Sequence, residues 1–153
     1  TGAAVTSEKL GEGEYKVKIN VAGNAEAAVT EAGDSCGCFV TGDTIAVFSS
    51  DKMGQGNDEL GGVLIKGCIY AITQLEELPK KMIFYNGGAK LTCEGSDSLE
   101  DLKNLESQGV EIMTCGTCLD YYGLKEKLAV GTVTNMYSIV ESMQQAGKII
   151  KPC

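Results

Sequence analysis

The chain has 153 residues, 43% of them hydrophobic and 22% charged, with a formal net charge of −8, a composition that suits one ordinary domain with an apolar core. All 13 basic residues are lysines and histidine is absent, so arginine clamps on phosphate, Ser–His–Asp and Cys–His catalysis and the commonest zinc ligand are all excluded. An acidic surface also argues against nucleic acid or an anionic membrane as partner, and no apolar run is long enough to span a bilayer.

Residues 1–43 differ in texture from the rest. "GEYKVKINV" alternates apolar and polar residues like a half-buried strand, and the small, acidic, glycine-bearing stretch after it reads as a linker. Strand and helix patterns alternate from Thr44. "TIAVFSS" is a strand, followed by the loop "DKMGQGND" and a helix over 57–77 whose apolar stripe is Leu60, Leu64, Cys68, Ile72 and Leu75, ended before Pro79. "KMIFYN" is the second strand and "GGAKLTCEG" a loop. Ser96 or Asp97 caps the next helix, which closes near Gly109. "VEIMTC" is the third strand, 118–128 a short helix interrupted at Gly123, and "VGTVT" the fourth strand. Asn135 caps a last helix, and "KIIK" is the fifth strand.

This alternation predicts an α/β fold, a three-layer α/β/α sandwich around a mostly parallel five-stranded sheet. Right-handed crossovers then gather the strand-to-helix loops at the carboxyl edge, where ligands bind in such folds. Those loops hold the candidate site: Ser50, Asp51 and Lys52; Asn86, Gly87, Gly88 and Cys93; Cys115, Gly116, Thr117 and Cys118; and Asn135. The glycines after Ser50 lack the third glycine of a dinucleotide fingerprint, and there is no phosphate loop.

Seven cysteines, an odd number, cannot all pair within one molecule, and a core this large is unlike a disulfide-stapled secreted domain. The thiols are therefore expected to be reduced and the chain cytoplasmic. Cys68 lies on an apolar helical stripe and reads as a small hydrophobe, while Cys153 is expected to be exposed. "EIMTCGTCLDYYGL" carries the strongest chemical signal. Cys115 and Cys118 could be a metal clip with Cys36 and Cys38, a disulfide, a redox pair or a sulfur-handling nucleophile with a neighbour. No metal site and no cofactor is assigned. With Cys115 at a strand end, the amides of the following helix would aim at its sulfur and favour the thiolate.

At these residues the chain resembles a known family. The segments "SSDKMGQGNDELGGVLIKGCIYAITQLEELPKKMIFYNGGAKL", "EGSDSLEDLKNLESQGVEIMTCGTCLDYYGL" and "KLAVGTVTNMYSIVE" resemble the DsrE/DsrF-like sulfur-relay domain. More closely, they resemble the carboxyl-terminal part of YedF-type proteins of selenium metabolism. The resemblance implies a DsrE/F-like domain over 44–153, with residues 1–43 a remnant strand and linker, the tail of a TusA-like domain. Neither Pro79 nor Pro152 follows a cysteine, so that domain's Cys-Pro motif is not present. By position, the resemblance gives Cys115 the role of persulfide carrier.

The function read from the sequence is sulfur or selenium relay. The Cys115 thiolate takes the outer sulfur of a donor persulfide, and Cys118 resolves the product. The implied partners are donor and acceptor proteins and, through extra apolar residues on the first helix and the habit of DsrE-like domains, further copies of the chain. The rival readings are a thiol–disulfide oxidoreductase and a noncatalytic docking domain.

Overall fold

The structure, a computed structural model, describes residues 4–11, 14–20 and 43–153. The chain divides into two compact units, Thr1–Gly37 and Cys38–Cys153. In the first, β1 (Ala4–Gly11) and β2 (Glu14–Asn20) pair antiparallel, with Val5 opposite Ile19 and Lys9 opposite Tyr15. β2 is the strand expected from the sequence. β1 is an addition, because its residues lack apolar alternation and its pattern alone does not announce a strand. The expected linker, with Cys36 and Cys38, lies outside the described residues.

The second unit is built on a five-stranded sheet of β3 (Thr44–Phe48), β4 (Lys81–Phe84), β5 (Glu111–Cys115), β6 (Thr132–Thr134) and β7 (Lys148–Ile150). The strand order is β6-β5-β4-β3-β7 and every neighbouring pair is parallel. The expected α/β fold is therefore observed, with each strand starting at or within two residues of its predicted position. Alternation along the strands feeds both faces. Ala46, Phe48, Met82, Phe84 and Ile112 point to the side covered by α1 (Asp58–Thr73) and α2 (Leu99–Ser107). Ile45, Val47, Ile83, Met113 and Cys115 point to the side covered by α4 (Met136–Gln145). Phe48 and Phe84 stack with ring centroids 4.9 Å apart, joining the central strands.

Three local expectations are corrected. The buried stripe of α1 is Gly61, Ile65, Ile69 and Ile72, whereas Leu60 is 56% and Leu64 44% exposed. Two apolar stripes compete on this helix, and the β-branched one packs on the sheet. α1 also ends at Thr73, short of Glu77, because the amides of Gln74 and Leu75 already fold back onto Ala71 and Ile72. Finally, Asn86–Thr92 is a 3-10 helix where the sequence suggested a loop. It lies against the end of β3, and a Cβ at Gly88 would stand 2.3 Å from the Phe48 carbonyl oxygen. Only glycine permits that approach. Beneath it Thr92 Oγ1 donates to the Ala89 carbonyl at 2.9 Å and, its proton thus committed, accepts from Thr114 Oγ1 at 2.9 Å. The buried hydroxyls thereby satisfy each other.

Candidate functional site

β5 carries Cys115 to the carboxyl edge of the sheet, opposite Thr134 of β6. α3 (Gly116–Tyr122) follows at once. A Cβ on Gly116 would lie 2.9 Å from Val133 Cγ1, so glycine lets the helix start close against β6. Gly123 closes the helix in the left-handed conformation, φ 64°, which glycine adopts without steric cost. The helix is thus seven residues starting at Gly116, not the 118–128 helix read from the sequence; after Gly123 only a single 3-10 turn, Lys125–Lys127, remains.

The two cysteines are in contrasting positions. Cys115 is 1% exposed, and its side chain accepts none of the first amides of α3. The expected cradle of helix-end amides around its sulfur is not formed. Cys118, one turn into α3 and packed into the same apolar cluster as Cys115, is half-buried. Its Sγ accepts the backbone N–H of Asn86 at 3.0 Å. Burial pushes the Cys118 thiol up from its ordinary value; the Asn86 N–H pulls it down, and the neighbouring Cys115, by hydrogen bond and by charge, pushes it up again.

Asn86 opens the 3-10 helix at φ 50° and is the one non-glycine residue with positive φ among the described residues. Its Oδ1 accepts the Tyr122 hydroxyl at 3.1 Å. Lys90 Nζ stands 5.2 Å from the centre of the Tyr122 ring and pairs with Asp51 at 3.0 Å. A continuous set of contacts therefore runs from Asp51 through Lys90, Tyr122 and Asn86 to Cys118.

The remaining expected residues divide. Gly87 lies beside Asp51, and Thr117 is exposed on the first turn of α3. Asn135 follows β6 and caps α4, accepting the Ser138 N–H at 3.0 Å. Cys93 is buried and donates its S–H to the Ala89 carbonyl at 3.2 Å, so its sulfur is turned into the core. Ser50 has its Cα beside Gly87, but its polar groups, like the Lys52 ammonium, are engaged with other residues. Ser50 N–H points to Cys153 Sγ at 3.3 Å, and the Lys52 ammonium pairs with Asp58, which holds it above the usual lysine range. A cleft of about 810 Å³ between α1 and the segment after β4 is lined by Asp51, Lys66, Lys90, Cys93 and Leu124 among others, and by neither Cys115 nor Cys118. Among the described residues no three Cys, Asp or Glu side chains gather as metal ligands.

Sequence reasoning did not single out Tyr122 and Lys90. The signal for Tyr122 was available, since residues 118 and 122 are one helical turn apart and share a face. Lys90 reaches the site only through the 3-10 helix, which the sequence does not announce.

Residues 22–152 match the family model described as DsrE/DsrF-like. The chain belongs to the DsrE/DsrF-like family. This family is associated with sulfur relay. Its match begins at residue 22, ahead of the start at Thr44 expected from the sequence. Among solved structures, the fold is similar to the protein of unknown function MTH1491 from Methanobacterium thermoautotrophicum, with TM-score 0.53 and 21% identity, covering 71% of this chain and 97% of that one. It is also similar to the ychN protein from E. coli, with TM-score 0.52 and 13% identity over 71% of this chain and 98% of the other. BT1422 from Bacteroides thetaiotaomicron, a conserved protein of unknown function, gives TM-score 0.52 and 13% identity over 75% and 99%. These likenesses carry the DsrE-like fold. No curated protein matches the chain. Among the described residues, no helix is long and apolar enough to cross a membrane.

Proposed function

We propose that this member of the DsrE/DsrF-like family relays sulfane sulfur, or selenium as in the YedF-type proteins it resembles, on the Cys115–Cys118 pair. The observation that carries the reading is the half-exposed Cys118 sulfur, which receives an N–H at 3.0 Å and is backed by a buried second thiol. Access orders the roles. Cys118 meets the donor and Cys115 stands behind it, the reverse of the assignment made from position in the sequence. The Cys118 thiolate attacks the outer sulfur of a donor persulfide, forming a Cys118 persulfide and releasing the donor as thiolate. An acceptor thiolate then takes that outer sulfur and returns Cys118 to its starting state. In the absence of acceptor, the Cys115 thiolate attacks the inner sulfur, forming a Cys115–Cys118 disulfide and expelling hydrosulfide. Two further thiols, such as those of desulfurated donor, then reduce the disulfide by successive exchange and leave as a disulfide themselves. These steps need no metal and no cofactor, and they fit a reducing cytoplasmic setting.

The test is mass spectrometry of the protein after exposure to a persulfide donor. Cys118→Ser should not load sulfur, whereas Cys115→Ser should load it and hold it longer. Loading lost equally in both variants would favour a thiol–disulfide oxidoreductase, loading that survives in both would put the sulfur on another cysteine, and no loading of the unsubstituted chain would leave a docking domain.

We also propose self-association, supported by Leu60, Val63, Leu64 and Tyr70 exposed on α1. Light scattering at micromolar concentration should give a mass above that of one chain, and a monomer mass throughout would remove this proposal.

A further inference from the structure

We infer that Tyr122 and Asn86 are positioning residues for Cys118: Tyr122 grips the Asn86 side chain and thereby holds the Asn86 backbone N–H on the sulfur. The purpose given to this clamp rests on the sulfur-relay reading; the clamp itself does not.

Asn86 has φ 50°, a left-handed conformation that is uncommon outside glycine and persists where the surroundings hold it. Both its ends are engaged on α3. Its N–H reaches Cys118 Sγ at 3.0 Å and its Oδ1 takes the Tyr122 hydroxyl at 3.1 Å. Cys118 and Tyr122 are four residues apart, so α3 presents thiol and phenol to the same residue from one face. The ring is steadied in turn by Lys90, which Asp51 ties down.

The clamp has a chemical consequence. The titratable groups around Cys118 are Cys115 on β5, Tyr85 after β4, Cys93 at the end of the 3-10 helix and Tyr122 on its own helix, with Lys90 and Asp51 beyond the phenol ring. Burial and Cys115 both favour the protonated thiol, and the Asn86 N–H opposes them. Hydrogen bonds to an ionised acceptor are about twice as strong as neutral ones. A fixed N–H therefore favours the Cys118 thiolate, the species that begins the loading step and is regenerated by transfer to the acceptor.

The experiment is the pH profile of iodoacetamide labelling, read peptide by peptide on the full chain. Tyr122→Phe should move the Cys118 profile to higher pH and slow its labelling at neutral pH by about two- to tenfold, the scale of one hydrogen bond's net contribution. The Cys68 profile should stay in place. Asn86→Gly keeps the left-handed backbone and the N–H but removes the Oδ1 grip. It should reproduce the Tyr122→Phe shift, and the double variant should add nothing further. An unmoved Cys118 profile in Tyr122→Phe, an equal shift at Cys68, or additive effects in the double variant would overturn the inference. Persulfide loading of the unsubstituted chain, measured alongside, separates the two ideas. No loading with the shift present removes the relay reading alone; loading without the shift removes the clamp alone.

Discussion

Two regions of the second unit each bring two thiols together, and they differ in what the backbone offers the sulfur. At the β5–α3 junction, Cys118 receives an N–H from Asn86 and packs against Cys115. At the other, Cys68 of α1 and Cys153 pack against one cluster, and burial first, then the Cys153 charge, pushes the Cys68 thiol up. Cys153 is half-buried there, not exposed as its place at the chain end suggested. Its Sγ accepts the Ser50 N–H at 3.3 Å and donates to the Ser50 carbonyl at 3.6 Å, while Ser49 Oγ holds the Cys153 carbonyl at 2.9 Å. One residue, Ser50, thus supplies both a donor and an acceptor to this sulfur. Among the described residues Cys118 has a backbone donor and no backbone acceptor, a contact that works against the burial that raises its thiol. Proximity of two cysteines is common to both regions; the polarity of the backbone facing them is what differs, and on the proposed relay it marks the pair that reacts.

The comparison breaks most severely if the 3-10 helix is displaced. Gly88→Ala would place a Cβ at 2.3 Å from the Phe48 carbonyl oxygen, so it should destabilise the fold by about 1–3 kcal/mol, as overpacking does. In the folded fraction Cys118 labelling should slow while Cys68 labelling is kept. Differential scanning calorimetry with peptide-mapped alkylation checks both effects.

A smaller effect concerns pH. The folded-state thiols of Cys68, Cys93 and Cys118 are all raised, with burial the leading cause. Above the ordinary thiol value of about 8.5 the folded chain therefore binds more protons than the unfolded one, so stability falls as pH rises. This contribution is fully present below about 8.5 and is lost as pH climbs through the raised folded values. Urea unfolding followed at increasing alkalinity should show the decline, and Cys68→Ala should flatten part of it.

The smallest effect is expected for Cys153→Ser. A hydroxyl can keep both Ser50 contacts, so stability should change by no more than about 0.5 kcal/mol. Cys68 should label slightly faster at alkaline pH because the neighbouring thiolate no longer opposes its ionisation. Sulfur loading should be unchanged, whereas a loss would make this region part of the relay.

Much of the fold was legible because period-2 and helical patterns alternate cleanly from Thr44 onward. The register of α1 was not, since Leu60 and Leu64 keep helical spacing as well as Ile65 and Ile69 do, and only packing chooses between them. That Cys115 ends a strand, with Cys118 in the helix after it, was legible from the local pattern. Which thiol is accessible was not, because that depends on where β5 stops and on Asn86 arriving from a 3-10 helix. Contacts such as Asn86–Tyr122 join residues 36 apart in sequence and have no local signature.

The central claim is that sulfur is handled at the β5–α3 junction and not at the α1–Cys153 contact. The most direct measurement is peptide mapping of the unsubstituted protein, alkylated after brief exposure to a persulfide donor. The account predicts one extra sulfur on the tryptic peptide spanning 104–125, which holds Cys115 and Cys118, with fragmentation placing it on Cys118. An extra sulfur found instead on the peptides holding Cys68 or Cys153 would contradict it.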